Sequence, residues 1–378
     1  MRDYIFFLPN LARGGVARTV ACLAEGLAAK NINVTVVILH EQLEQLNELK
    51  PGRIRCLLPG IPAYAKALVF APLALVRLFK LLKAQPGATV SAHGLLPNLM
   101  VAACKHLLGA QLDYVGFQHD SPSGHYASAS GLVKKRILQW SFRRSKMVAC
   151  VSSGVSEELI KERVCSASKT VVLYNGHNIT RIRELAHGGV SPAFQELRSH
   201  YSHVALMIGR LAPQKDYDTA IQVARILAPE RFAIAVIGDG PELSRLQEVV
   251  QQAGVSNFYF LGARSNPFPE LANSDLLLLT SLHESFGNVI VEALALGKPV
   301  VSTDCPSGPR EILDGARYGA LCPVGDAEAL ANAVKLTVQS NSLQSDARRR
   351  AILQRSQSFD VSRQVERYIQ LLGLQQQV

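Results

Sequence analysis

Leu276-Leu-Leu-Leu-Thr-Ser281-Leu-His-Glu284-Ser-Phe-Gly-Asn-Val-Ile-Val-Glu292-Ala-Leu-Ala-Leu-Gly-Lys-Pro-Val300-Val reads as a buried strand, a glycine-marked loop, a helix and the start of another strand. The uncharged run 276–281 suits a parallel strand covered on both faces. Glu284 and Glu292 flank the loop-to-helix junction. In open α/β sheets that junction, at a strand carboxyl end beside a helix N-terminus, is where ligands bind and where backbone amides favour anions such as a diphosphate. Taken alone, Glu284 could equally be a solvated loop residue and Glu292 a position on an amphipathic helix. The rest of the chain decides between these readings.

Working outward, strands and helices alternate almost throughout, which calls for parallel sheets with helices on both faces. Strands are expected at 4–8, 34–39, 53–57, 88–92, 114–117, 147–151 and 170–173, then at 204–208, 232–237, 257–260, 275–279, 299–302 and 318–321. The class is therefore α/β, with two Rossmann-like doubly wound domains and a cleft between them. The expected organisation is a first domain over 1–180, a linker with one short helix over 181–202, and a second domain over 203–358. A helix at 361–374, after the strands are used up, is expected to pack back onto the first domain.

At 378 residues the chain is too long for one ordinary core. Its 48% hydrophobic and 19% charged residues describe a globular protein rather than a disordered one. The N-terminus reads as strand and turn rather than a secretion signal, and the apolar run 67–76 is too short to span a bilayer. Seven scattered cysteines without Cys-x-x-Cys spacing argue against a disulfide framework or a zinc site, so a reducing cytoplasm is expected. The net charge of +10 is uneven: residues 1–180 hold 21 Lys and Arg against 10 Asp and Glu, and the remainder 19 against 20. Such asymmetry suits an anionic partner for the first half, membrane or nucleic acid.

Several turns carry candidate chemistry. Gly209-Arg210-Leu-Ala-Pro-Gln-Lys215 leaves the first strand of the second domain, and its two cations suit a diphosphate, each charge-assisted contact contributing about 1.5–3 kcal/mol. Asp216-Tyr-Asp218 spells a metal-binding Asp-x-Asp, but helix capping explains these residues without a metal. Gly14-Gly15 lets backbone approach a phosphate or sugar at the opening of the first helix, although the dinucleotide spacing Gly-x-Gly-x-x-Gly is absent. His93 and His119 each end a strand, with His119 expected to face the cleft. The turns Gly238-Asp-Gly240 and Leu261-Gly-Ala-Arg264 could hold a nucleotide base through main-chain groups, or could be simple glycine turns.

Two stretches mix cations with apolar residues in the manner of interfacial helices: 61–83, with Lys66, Arg77, Lys80 and Lys83, and 132–147, with Lys134, Lys135 and Arg136 near the sole Trp140. Ordinary amphipathic helices with solvated charges are the alternative, and the charge of the first half favours the membrane reading.

Taken together, Glu284-x7-Glu292 with Ala-Leu-Ala-Leu-Gly-Lys-Pro-Val-Val, and Gly-Arg210-x4-Lys215 upstream, resemble family four of the retaining glycosyltransferases, the nucleotide-sugar enzymes of GT-B architecture. The resemblance runs from Gly14-Gly15 to the C-terminal helix. It implies that Arg210 and Lys215 grip the donor diphosphate and that Glu284 contacts the donor sugar. It further implies that the Phe286 and Gly287 amides hold sugar and phosphate, that Glu292 binds the ribose hydroxyls, and that His119 lies near the anomeric carbon. Gly14 and Gly15 would close the acceptor side. Asn288 and Ser285 stand where many relatives carry an apolar residue and Gly, and Arg310 and Glu311 would border the donor pocket or serve packing. Arg264 and His93 complete the set of candidate binding residues. The implied activity is a metal-independent, retaining transfer from a nucleotide-sugar, UDP-linked by expectation, to a lipid-linked or lipopolysaccharide-type glycan. No cofactor is expected, and the setting is the inner face of the plasma membrane. A nucleotide-sugar 2-epimerase shares this plan. A nucleic-acid-binding module lacks its usual sequence signatures here, so no nucleic-acid partner is expected.

Overall fold

The computed structural model describes residues 3–11, 15–40, 54–61, 67–121, 129–343 and 345–373. The chain forms two compact units: Met1–Gly176 with Val361–Val378, and His177–Asp360.

In the first unit β1 (Asp3–Leu8), β2 (Asn33–His40), β3 (Ile54–Leu58), β4 (Thr89–His93), β5 (Asp113–Gln118), β6 (Met147–Cys150) and β7 (Thr170–Val172) form one parallel sheet in the order β3-β2-β1-β4-β5-β6-β7. Tyr4, Ile5, Phe6, Phe7 and Leu8 are each at most 1% exposed, as a strand covered on both faces requires. The winding direction reverses between β1 and β4. That leaves an opening at the strand carboxyl ends, where the loops after Leu8 and His93 emerge.

The second unit repeats the plan with β8 (His203–Ile208), β9 (Phe232–Ile237), β10 (Phe258–Phe260), β11 (Leu276–Leu279), β12 (Val300–Thr303) and β13 (Ala320–Cys322). The order is β10-β9-β8-β11-β12-β13, again all parallel, with the reversal between β8 and β11. The strands expected from sequence all lie within two residues of these bounds.

The stretch 181–202, expected to be a linker with one short helix, instead holds two helices, Ile179–Leu185 and Pro192–His200. Asn178 caps the first, its side chain accepting from the Arg181 amide at 2.9 Å, and Pro192 opens the second. Phe194 and Leu197 are buried, so this segment is part of the second unit rather than a tether.

The last helix, Val361–Leu372, belongs to the first unit. It buries Gln364, Val365, Tyr368 and Leu372, a helical stripe, against the helix Gly15–Ala29. A Cβ at Gly26 would sit 2.4 Å from a Val365 methyl, so the close crossing needs glycine there. Tyr368 meets Tyr4 edge-on at 5.9 Å between ring centroids.

The helices expected to be interfacial are Ala67–Lys83 and Ala129–Arg144. On the first, Val69, Leu73 and Val76 are exposed along one stripe that runs into exposed Lys80 and Lys83, while Arg77 donates to the Leu57 carbonyl at 2.6 Å. Lys66 lies outside the described residues. On the second, Leu132 and Val133 are exposed beside Lys134 and Arg136. Lys135 is paired with Glu162 at 2.9 Å. Trp140 packs against the core of the sheet with the Arg144 guanidinium 3.9 Å over its ring, so it is no interfacial anchor. Among the described residues no helix is long and apolar enough to cross a membrane, and all seven cysteines are free thiols.

Candidate functional site

Lys215 and Glu284 meet at the reversal between β8 and β11. Lys215 ends a short turn, Pro213–Lys215, that follows β8, and Glu284 lies in the loop that follows β11. Lys215 Nζ donates to Glu284 Oε1 at 2.5 Å, and the Ser281 hydroxyl donates to the same oxygen at 2.8 Å. Both charged side chains are largely buried, 18% and 9% exposed. A carboxylate so enclosed survives only because a cation and a hydroxyl satisfy it.

The two loops are stitched together. Thr280 Oγ1 donates to the Lys215 and Asp216 carbonyls, both at 2.8 Å, and the Leu282 amide donates to the Gln214 carbonyl at 2.9 Å. Thr303 Oγ1 donates to the Ser281 carbonyl at 2.6 Å, tying in β12. Glu284 also acts on its surroundings: burial first and this carboxylate second push the Tyr217 phenol up, and the same two causes push the Cys305 thiol up to about 12.

Gly287, in the left-handed region with φ 97°, caps the helix Asn288–Ala295. Asn288 and Glu292 are one turn apart on that helix, and Glu292 is 4% exposed. The Phe286 ring is buried, stacked on His177 and edge-on to Phe359, so packing occupies its side chain and the backbone is what it can offer a ligand. Gly308, with φ 84°, lies against that backbone: a Cβ there would be 1.9 Å from the Phe286 carbonyl oxygen.

Arg210 is exposed on the loop after β8. That loop runs beside the Gly238-Asp-Gly240 turn, where a Cβ on Gly238 would sit 1.8 Å from the Gly209 oxygen. The Leu211 amide donates to Asp239 O at 2.9 Å, so backbone crowding is what requires glycine in this turn. Arg264 is exposed beyond β10, two strands from β8. The Asp-x-Asp residues are engaged elsewhere. Asp216 caps the helix Tyr217–Leu227, accepting from the Thr219 hydroxyl at 2.6 Å, and Asp218 takes both Arg245 terminal nitrogens at 2.9 and 2.7 Å. Arg310 forms an exposed ion pair with Asp304.

The first unit holds a separate group at its own reversal. His93 ends β4, and His119 follows β5. His119 Nε2 and His93 Nδ1 share a hydrogen bond of 2.7 Å, and His93 Nε2 meets Ser91 Oγ at 3.0 Å. Phe117 stacks on both rings, at 4.5 Å from His93 and 4.9 Å from His119. Burial holds His93 well below the ordinary 6.5, with His119 adding to the effect, and although His119 as a whole residue is only half-buried, burial of its ring lowers it to about 3. Both rings are neutral near pH 7, so His119 can give or accept one hydrogen bond but carries no positive charge. Gly15 opens the first helix, its carbonyl accepting from Thr19 Oγ1 at 2.8 Å; Gly14 lies outside the described residues.

Both histidines bind protons less readily folded than unfolded. The stability they contribute is present above their unfolded value of about 6.5 and is lost as the pH falls from there toward the folded values. We expect the ring resonances of His93 and His119 to show no titration in NMR spectra between pH 5.5 and 8. A midpoint near 6.5 for either ring would contradict the enclosed arrangement.

Neither Ser281, which fixes the Glu284 carboxylate, nor Ser91, which completes the histidine chain, stood out in the sequence. Ser281 had a signal in its position three residues before Glu284. Ser91 had the same kind of signal, two residues before His93 on the same face of β4; what the sequence hid is that the pairing of β4 with β5 brings His119 to His93.

Residues 13–181 match the model of Glycosyltransferase Family 4, and residues 193–354 match that of Glycosyl transferases group 1. The N-acetylgalactosamine-N,N'-diacetylbacillosaminyl-diphospho-undecaprenol 4-alpha-N-acetylgalactosaminyltransferase of Campylobacter jejuni is 23% identical over 364 residues, 95% of this chain and 96% of that one. The lipopolysaccharide core biosynthesis glycosyltransferase LpsE of Rhizobium meliloti is 34% identical, with the alignment spanning 45% of this chain and 49% of LpsE. Among solved structures, Anabaena HepE in complex with UDP-glucose superposes with a TM-score of 0.81 at 21% identity, over 99% of this chain and all of that one. These likenesses agree with the two doubly wound domains of the GT-B fold.

Proposed function

We propose that this chain, which belongs to the glycosyltransferases and carries a Family 4 domain followed by a group 1 domain, moves a sugar with retention from a UDP-sugar to a lipid-linked or lipopolysaccharide-type glycan. The observation that carries this reading is the Lys215–Glu284 pair at the β8/β11 reversal, with Glu292 one helical turn into the adjoining helix. Names of relatives support the acceptor class, since one acts on a diphospho-undecaprenol-linked sugar and another builds lipopolysaccharide core. The UDP and UDP-glucose complexes of the fold neighbours support the donor class.

In this reading Arg210 and Lys215 bind the diphosphate and stabilise the charge that develops on its β-phosphate oxygen. Glu284, oriented by Ser281 and Lys215, accepts hydrogen bonds from the sugar hydroxyls, and Glu292 accepts those of the ribose. Amides at the start of the helix Asn288–Ala295 face the phosphate with the positive end of the helix dipole. The bond from the anomeric carbon to the phosphate oxygen breaks, and a bond to the acceptor oxygen forms on the same face. The acceptor proton passes to the departing phosphate, so no dedicated base is required. Asp216 and Asp218 are both occupied, in a helix cap and an arginine fork, which supports a transfer independent of a metal at that motif. His119, neutral, serves as a hydrogen-bonding partner for the sugar rather than as an acid.

Screening donor hydrolysis across UDP- and GDP-sugars tests the donor. We expect one UDP-sugar to release UDP at least tenfold faster than the GDP-sugars; a GDP-sugar in first place would overturn the assignment.

The protein acts, in the same proposal, from the cytoplasmic face of the plasma membrane. Support comes from the exposed stripe Val69, Leu73, Val76, Lys80 and Lys83, with about 1 kcal/mol per cation at an anionic leaflet. Vesicles containing phosphatidylglycerol should sediment the protein at low salt, and Lys80→Gln with Lys83→Gln should weaken this several-fold. Equal sedimentation with neutral vesicles would refute the electrostatic contribution.

A further inference from the structure

The second half of the opening stretch does not serve the Lys215–Glu284 site. Gly297 and Lys298 lie beyond the far end of the helix Asn288–Ala295, next to the residues that enter β11. There the second unit has a cavity of about 740 Å³, within the range of small-molecule sites. Arg183, Lys298, Arg348 and Arg349 line it, with Asp275 the one carboxylate among the lining residues. Asp275 is already held by Arg198 at 2.5 Å.

Part of this charge has local work. Arg183 Nε donates to the Ala295 carbonyl at 2.9 Å and Lys298 Nζ to the Ser274 carbonyl at 2.8 Å, which closes the helix end. Arg348 donates to the Ser340 hydroxyl at 3.0 Å. Arg349 is exposed, lies across Gly297, and has no hydrogen-bond or ion-pair partner among the described residues. The crowding of cations is felt at Lys298, which is lowered mainly by burial and further by Arg349 and Arg198, against the pull of Asp275. Four cations on one concave surface, with a single carboxylate already engaged, repel one another until an anion joins them. Beside His187 and Ser274, part of the remaining wall is apolar: Leu296, Ile352 and Leu353 offer a surface for the uncharged body of a ligand.

We propose that this cavity is a second binding site of the unit, for a small soluble molecule carrying two or more phosphate groups, at the end of β11 opposite Lys215 and Glu284. The lining fits the chemistry: guanidinium forks match phosphate oxygens, and the cavity has room for a nucleotide-sized ligand. The helix Asn288–Ala295 and β11 each run from one site to the other, so occupancy here bears directly on the elements that carry Glu284 and Glu292.

Isothermal titration of the full chain with inorganic pyrophosphate at low salt tests the site. We expect two pyrophosphate molecules to bind per wild-type chain, one at each site; Lys215→Ala should weaken one of these events and leave the other, and Arg348→Glu with Arg349→Glu should weaken that other event at least tenfold. Arg349 is exposed and Arg348 half-buried, and an unchanged melting temperature verifies that the variant is folded; single Arg349→Glu, which has no partner to lose, is the second variant and should weaken the same event several-fold. A single binding event in wild type that Lys215→Ala abolishes, or two events that both survive in the arginine variants, would overturn the proposal.

Discussion

Replacing Lys215 with alanine is expected to cut sugar transfer by more than tenfold and, separately, to lower the stability of the second unit. The first effect follows from losing a charge-assisted contact to the leaving diphosphate, about 1.5–3 kcal/mol, or roughly ten- to 150-fold in rate. The second follows from leaving Glu284, 9% exposed, without its cation. Removing one partner of a buried pair costs about 3–5 kcal/mol. The Ser281 bond at 2.8 Å remains and offsets part of that cost. The two effects come apart in Lys215→Met with Glu284→Gln. Neutralising both partners removes the stranded charge, so the melting temperature should return close to wild type while transfer stays at least tenfold down. Recovery of transfer together with stability would mean that the pair is structural only.

The second large effect is expected at Gly308. Alanine there must adopt φ 84° and would bring its Cβ 1.9 Å from the Phe286 oxygen, against backbone rather than a pliant side chain. Either the 307–308 turn or the 286–287 segment has to move. Phe286 is wedged between His177 and Phe359, which resist displacement. We expect a loss of several kcal/mol, on the order of the strain and overpacking terms combined, visible as a melting-temperature drop of about 2–4 °C per kcal/mol. Any folded fraction should bind UDP at least tenfold more weakly, because the amides before the helix Asn288–Ala295 are displaced. A variant with wild-type melting and UDP affinity would show that this backbone contact positions nothing.

Much of this was legible because its causes are local. Runs such as 276–279 announce buried strands by composition, and parallel sheets follow once strands alternate with helices, while the order of the strands does not. Glu284 and Lys215 were legible because both sit in short turns at strand ends. What was hidden depends on partners distant in sequence. Lys135 reads as a membrane cation until Glu162 is seen beside it, and Trp140 reads as an interfacial aromatic until its face of the helix is known. The 181–202 segment looked like a tether because its polar residues outnumber Phe194 and Leu197, which are nonetheless sufficient to seat a helix. The cation-lined cavity was invisible for the same reason: Arg183, Lys298 and Arg349 come from three separate segments, and none carries a motif of its own.

The account stands or falls on the Lys215–Glu284 pair being the nucleotide-sugar site of a retaining transferase. Time-resolved NMR of the protein with its preferred UDP-sugar and an acceptor tests this most directly, because it reads UDP release and the anomeric configuration of the product together. The expected result is a product with the configuration of the donor, formed more than tenfold faster by wild type than by Lys215→Ala. An inverted product, or UDP release unaffected by Lys215→Ala, would contradict it.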